Sequence, residues 1–75
     1  MKITVKLIGP FVQAFGFSEK QLDVPEGTTA DGLVALVHID SARPKIVTRN
    51  GRAIAPDEAL ADGDRVVISP IYSGG

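Results

Sequence analysis

The stretch Arg65-Val66-Val67-Ile68-Ser69-Pro70-Ile71-Tyr72-Ser73-Gly74-Gly75 carries two signals. Its first half is β-branched and alternates like a strand with two different faces, Val66 and Ile68 on one side and Val67, Ser69 and Ile71 on the other. Its second half runs out through Tyr72 and Ser73 into a glycine pair. At an average glycine usage of about 7%, two given positions are both glycine roughly 0.5% of the time, so the pair is read as a functional element. The other strongly apolar strand is Lys2-Ile3-Thr4-Val5-Lys6-Leu7-Ile8, with Ile3, Val5 and Leu7 on one face. The first and last strands are expected side by side at the centre of the sheet, and the long connection between them allows a parallel pair.

Gly9-Pro10 ends the first strand, and a loop from Phe11 to Phe17 is expected to close one end of the core with Phe11, Phe15 and Phe17. Lys20-Gln21-Leu22-Asp23-Val24 alternates again and pairs back as a hairpin. Pro25-Glu26-Gly27-Thr28-Thr29 is turn chemistry before a helix, with Thr29 as N-cap and Asp31 facing the positive end of the helix dipole. Leu33, Val34, Leu36 and Val37 form its apolar stripe, and Gly32 costs it about 1 kcal/mol relative to Ala, so packing on the sheet must hold it. His38 is the only histidine and reads as a surface residue at the helix end.

Lys45-Ile46-Val47-Thr48-Arg49 and Arg52-Ala53-Ile54 flank Asn50-Gly51, the residue pair that supplies the two positive φ angles of a type I′ hairpin. Pairing outward sets Arg49 opposite Arg52, Thr48 opposite Ala53 and Val47 opposite Ile54, with Val47 and Ile54 toward the core. One short helical turn is expected at Asp57-Glu58-Ala59-Leu60, then a tight turn at Asp62-Gly63-Asp64. The expected core is Ile3, Val5, Leu7, Leu22, Leu33, Leu36, Val37, Val47, Ile54, Leu60, Val66 and Ile68. The fold class is α+β, a mixed sheet of four to five strands with one helix packed across one face. The opposite face carries Ile8, Ala53, Val67, Ser69 and Ile71, an apolar patch of the kind that meets a partner.

The composition removes most side-chain chemistry. The 75 residues make one domain and contain no cysteine, so disulfides, thiolate metal ligands and cysteine nucleophiles are absent. His38 has no Ser-His-Asp setting, and no glycine loop is built to cradle phosphate. The adjacent acids Asp57 and Glu58, and the pair Asp62 and Asp64, read as turn and cap residues rather than a metal site, and no bound cofactor is expected. A net charge of −1 argues against nucleic acid, and Arg43, Lys45, Arg49 and Arg52 read as a basic strand edge that deters edge-to-edge pairing. No apolar run approaches the ~20 residues that span a bilayer, and the alternating N-terminus is not a signal core, so a cytoplasmic protein with no membrane partner is expected.

Element order and the glycine pair together resemble the β-grasp fold of ubiquitin-like proteins, and more closely the MoaD/ThiS family of prokaryotic sulfur carriers. The carrying residues are Val24-Pro25-Glu26-Gly27-Thr28-Thr29 before the helix, Asn50-Gly51-Arg52 in the hairpin, Leu60 with Asp62-Gly63-Asp64 before the last strand, and Pro70 through Gly75. The resemblance divides the chain into a β-grasp domain, residues 1–71, and a flexible Gly-Gly tail, residues 72–75. Pro70-Ile71-Tyr72-Ser73-Gly74-Gly75 is most similar to the molybdopterin synthase small subunit, where proline stands at the matching place, and it departs from that pattern at Tyr72.

The resemblance implies a carrier with no catalytic side chains of its own. A ubiquitin-activating-like adenylyltransferase uses ATP to adenylate the Gly75 carboxylate, and a sulfur donor such as a cysteine desulfurase then leaves a C-terminal thiocarboxylate. That sulfur goes to a cofactor synthase large subunit, most closely that of molybdopterin, or to a thiazole synthase in the thiamine pathway. Gly74, with Ser73 and Tyr72, would thread the partner's channel, whose narrow end the last two residues can enter because they have no Cβ atoms. Two other readings stay open: a ubiquitin-like modifier joined to proteins through Gly75, and a plain interaction module in which the glycine pair is incidental.

Overall fold

The computed structural model describes residues 1–40 and 42–71. Its elements are β1 (Lys2–Leu7), α1 (Pro10–Phe15), β2 (Glu19–Asp23), α2 (Ala30–Leu36), β3 (Lys45–Arg49), β4 (Arg52–Ala53) and β5 (Arg65–Pro70). The strands form one sheet in the order β2-β1-β5-β3-β4. β5 lies between β1, its parallel partner, and β3, its antiparallel partner, so the expected central pair is present. β1 and β2 form the first hairpin, with Ile3 opposite Leu22.

The second hairpin follows the Asn-Gly reading. Asn50 has φ 51° and Gly51 φ 86°, and the register sets Arg49 against Arg52 and Thr48 against Ala53. Asn50 also bonds to the last strand. Its N–H donates to the Arg65 carbonyl at 2.8 Å, and its side-chain oxygen accepts from the Arg65 N–H at 2.9 Å. Its side-chain amide donates to Asp64 Oδ1 at 3.1 Å, while Asp64 Oδ2 accepts from the Ala61 N–H at 2.8 Å. Asp64, nearly buried, therefore fixes both the turn before β5 and the tip of the β3–β4 hairpin.

Alternation along β1 and β5 puts Ile3, Val5, Leu7, Val66 and Ile68 in the core, where Phe11, Leu33, Val34 and Leu60 join them. Leu22, Val47 and Ile54 pack against this cluster while partly exposed. On α2 the buried residues are Ala30, Leu33 and Val34, with Val37 following, which is the i, i+3, i+4, i+7 face of a helix. Leu36 falls off that face and is 51% exposed, so the expected apolar stripe is narrower than the sequence implied. The end of α2 is a Schellman motif: His38 takes a left-handed φ of 66°, its N–H donates to the Ala35 carbonyl, and the Ile39 N–H donates to the Val34 carbonyl. Ile39 is thereby turned into the core.

Two local expectations are corrected. The segment from Phe11 is not simply a loop, because Pro10–Phe15 is a helix, so the sheet carries two helices rather than one. Pro10 at its start has φ preset for the helix, and Gly16, left-handed at φ 86°, closes it by donating to the Val12 carbonyl at 2.9 Å. Phe11 and Phe15, one turn apart, meet edge to face with centroids 5.6 Å apart.

Asp57 to Leu60 makes no helical turn. A turn at Pro56 and Asp57 leads into an extended bridge between Ala59 and Thr29. The reason lies at the start of α2, whose first N–H groups need acceptors. Ala30 donates to the Glu58 carbonyl at 3.0 Å, Asp31 to the Pro56 carbonyl at 2.9 Å, and Gly32 to the Thr29 hydroxyl oxygen at 3.1 Å. An extended segment offers those carbonyls sideways, and a helix would consume them. Among the described residues no helix is long and apolar enough to cross a membrane.

Candidate functional site

The position of β5 determines what surrounds the chain where it leaves the sheet. Its neighbours, β1 and β3, bring their exposed alternate residues onto the face that the core leaves bare. The Ile8 N–H donates to the Ile68 carbonyl at 3.2 Å, which extends the β1 ladder by one residue and sets Ile8 beside Ser69. Ser69 in turn faces Ile46 of β3. The next row runs Lys6, Val67, Thr48, Ala53 across four strands. None of these residues belongs to the core cluster, and Ile8 and Ile46 are 39% and 48% exposed.

Farther from the exit the same face becomes charged, with Arg65 paired to Glu19 at 2.9 Å and Lys2 opposite Asp23. The bare face is thus graded: the Ile8, Ser69, Ile46 row beside the exit is uncharged, and charges enter from the Lys6 row onward. A gradient of this kind favours one orientation of a docked partner, since apolar contact and charge complementarity must align together.

Of the residues assigned to this face from the sequence, Ile8, Ala53, Val67 and Ser69 stand there together. Ile71 follows in the same register opposite Pro44 and is 48% exposed. It lies past the end of β5, its N–H donates to the Pro44 carbonyl at 3.3 Å, and it lines a cavity of about 410 Å³ on the helix side of the sheet. That cavity is bounded by Val34 of α2, Lys45 and Val47 of β3, Ile54, and Ala42, Arg43 and Pro44 of the loop before β3. Ile46 was missed, although it shares the face of Thr48 two residues away and the same alternation reaches it. Tyr72, Ser73, Gly74 and Gly75 lie outside the described residues.

Ionisable side chains do not gather into a reaction centre. Among the described residues there is no group of three or more His, Cys, Asp or Glu placed to hold a metal ion. Arg49 is occupied by Glu58 at 3.2 Å, the Ala59 carbonyl at 2.8 Å and Asp64 at 3.8 Å, and joins the hairpin to the segment that serves α2. His38 is exposed at its helix end.

A small mixed sheet with parallel outer-sequence strands at its centre and helices on one face defines a ubiquitin-like β-grasp protein. The sequence profile of the ThiS family matches residues 5–75, and the chain belongs to that family. SAMP1 from Haloferax volcanii has the same fold at 29% identity, with all of both chains covered and a TM-score of 0.82. A Pyrococcus furiosus protein described as molybdopterin converting factor subunit 1 is 26% identical over 96% of this chain and 99% of its own, with a TM-score of 0.84. The fold also recurs in the complex of subunits 1 and 2 of molybdopterin-converting factor from Helicobacter pylori, at 18% identity, full coverage of both chains and a TM-score of 0.68. A search of curated protein sequences gave no match. Proteins of this type are small ubiquitin-like carriers, in general without catalysis of their own.

Proposed function

We propose that the chain carries sulfur as a thiocarboxylate on Gly75 and delivers it in molybdopterin biosynthesis. The observation that carries this reading is the family match running through residue 75, on a body whose last strand is central and borders a bare apolar face. Likeness to the Pyrococcus protein favours molybdopterin over the thiamine thiazole.

A carboxylate is a poor electrophile. An adenylyltransferase in the cytoplasm joins it to AMP from ATP, releasing pyrophosphate and creating a mixed anhydride. The terminal sulfur of a persulfide attacks the acyl carbon and AMP leaves. A thiol then cuts the resulting acyl disulfide, taking the donor cysteine sulfur into a new disulfide and leaving the thiocarboxylate anion on Gly75. The anion is a soft nucleophile, and the synthase large subunit offers it a pocket closed to water. This chain supplies the reacting group, a tail narrow enough to enter a channel, and through Ile8, Ile46, Val67, Ser69 and Ala53 a surface for its partners. It needs no bound cofactor of its own, and ATP belongs to the activating enzyme.

Intact-mass analysis after incubation with ATP, the activating enzyme and a persulfide donor tests the reading. Replacement of one terminal oxygen by sulfur is expected, and its absence refutes the carrier function. The variant Gly75→Ala is expected to fold normally and to accept sulfur far more slowly, and an unchanged rate would contradict the access argument. Conjugates of raised mass in cell lysate would identify a protein modifier instead.

A further inference from the structure

The cavity on the helix side lies beside the chain exit yet belongs to the face away from the proposed partner surface. Its walls are apolar where Val34, Val47, Ile54 and Ile71 meet, and its rim carries Arg43 and Lys45, with Asp31 as the opposing charge. The Lys45 ammonium donates to the Arg43 carbonyl at 3.1 Å and to the Asp40 carbonyl at 3.4 Å, which holds a positive charge at the mouth. The Arg43 guanidinium lies over the Phe11 and Phe15 rings, 5.0 and 5.8 Å from their centroids, so it too is confined to this end of the molecule.

We propose that this cavity is a resting dock for the chain's own residues 72–75, with the terminal carboxylate drawn to Arg43 and Lys45. Three observations support this occupant. Ile71 is already a wall of the cavity, and its bond to Pro44 fixes the exit beside the loop that forms the mouth. Four further residues extend at most about 14 Å, enough to enter a neighbouring cavity and too little to seek a remote one. Their chemistry matches the lining: the aromatic Tyr72 suits the aliphatic walls, the glycines permit a reversal, and the terminal anion complements a rim with two cations and one carboxylate.

The consequence is self-competition. A docked tail is withheld from the activating enzyme, and the apparent affinity falls in proportion to the undocked fraction. This consequence rests on the reading of Gly75 as the activated group, whereas the dock itself is tested without any activation.

Methyl NMR spectra of the full chain and of a chain ending at Ile71 with its new terminus amidated, so that no carboxylate is placed in the cavity wall, provide that test. Truncation is expected to shift Val34, Val47 and Ile54 while leaving Ile8, Ile46 and Val67 in place. Titrating the terminal carboxyl, over about pH 3–5, should move the same three residues in the full chain beyond any effect of Asp31, which the truncated chain reports separately. The double variant Arg43→Gln with Lys45→Gln should abolish the extra titration shift and lower the KM of activation, up to about tenfold for a tail docked nine-tenths of the time. Lys45→Gln alone keeps the aromatic contact of Arg43 and should move both readouts partway. The proposal is overturned if truncation leaves the cavity methyls unchanged or shifts the bare-face methyls instead. It is equally overturned if the activating enzyme fills the cavity in the truncated chain. Failure of sulfur loading with these NMR shifts intact would count against the carrier function alone.

Discussion

Removing the side chains of Ile8 and Ile46 should weaken partner binding while leaving the fold almost untouched. Complete burial of an isoleucine is worth about 1.5–3 kcal/mol relative to full exposure. Ile46 retains 48% of its surface open and Ile8 39%, so a partner that covers them gains about 1 kcal/mol from each. Ile46→Ala should therefore weaken binding by roughly fivefold, and the double variant with Ile8→Ala by about thirtyfold. The two residues flank Ser69 in one row, so a shared partner contact would appear as departure from additivity. Because neither residue belongs to the core cluster, stability should change by no more than about 0.5 kcal/mol. Leu36→Ala is the control, since Leu36 is 51% exposed on the helix side and should leave affinity unchanged. Calorimetric titration against the activating enzyme in the presence of ATP, with thermal unfolding of each variant, gives both numbers. A double variant that binds within twofold of the parent, at unaltered thermal stability, would refute the assignment of the bare face.

Three further outcomes concern the body. Asp64→Ala leaves the Ala61 N–H and the Asn50 amide without their acceptor and should cost about 2–4 kcal/mol, read as a lower urea midpoint; a loss under ~0.5 kcal/mol would mean water replaces both bonds. His38→Gly removes a left-handed φ that costs a side-chain-bearing residue about 1–2 kcal/mol and adds about 0.5–1 kcal/mol of unfolded-state entropy, so a modest gain and a slightly higher Tm are expected. Thr29→Ala strips the Gly32 N–H of its cap and should lower stability by about 1 kcal/mol in the same urea assay.

What the sequence disclosed was largely what is decided by neighbours in the chain. Asn50-Gly51 forces its turn whatever surrounds it, and alternation in β1 and β5 separates the two faces because side-chain direction there has period two. Helix α1 escaped because Gly9-Pro10 read as a breaker, when here Pro10 is its first turn and Gly16 its cap. The i, i+4 spacing of Phe11 and Phe15 was the available clue. Asp57 to Leu60 has helix-forming residues, but α2 needed carbonyls from that segment, a demand invisible without the tertiary arrangement. At the site, Ile46 was within reach of the alternation used for Thr48. The part Ile71 takes in lining the cavity was not, because that cavity is formed by residues from α2, β3 and the segment after β4.

The parallel pairing of β1 with β5 also governs when this molecule can fold. Thr4 meets Arg65 and Leu7 meets Ile68, contacts between residues about 60 positions apart, so closing the central pair joins nearly the whole length of the chain. During synthesis, a chain lacking β5 has β1 with only β2 for company and no Val66 or Ile68 to fill the core. Such a chain lacks the means to bury its apolar face and stays open to proteolysis. Quality control is thereby coupled to completeness: the body becomes protected only after the strand that bears the C-terminal segment has been made.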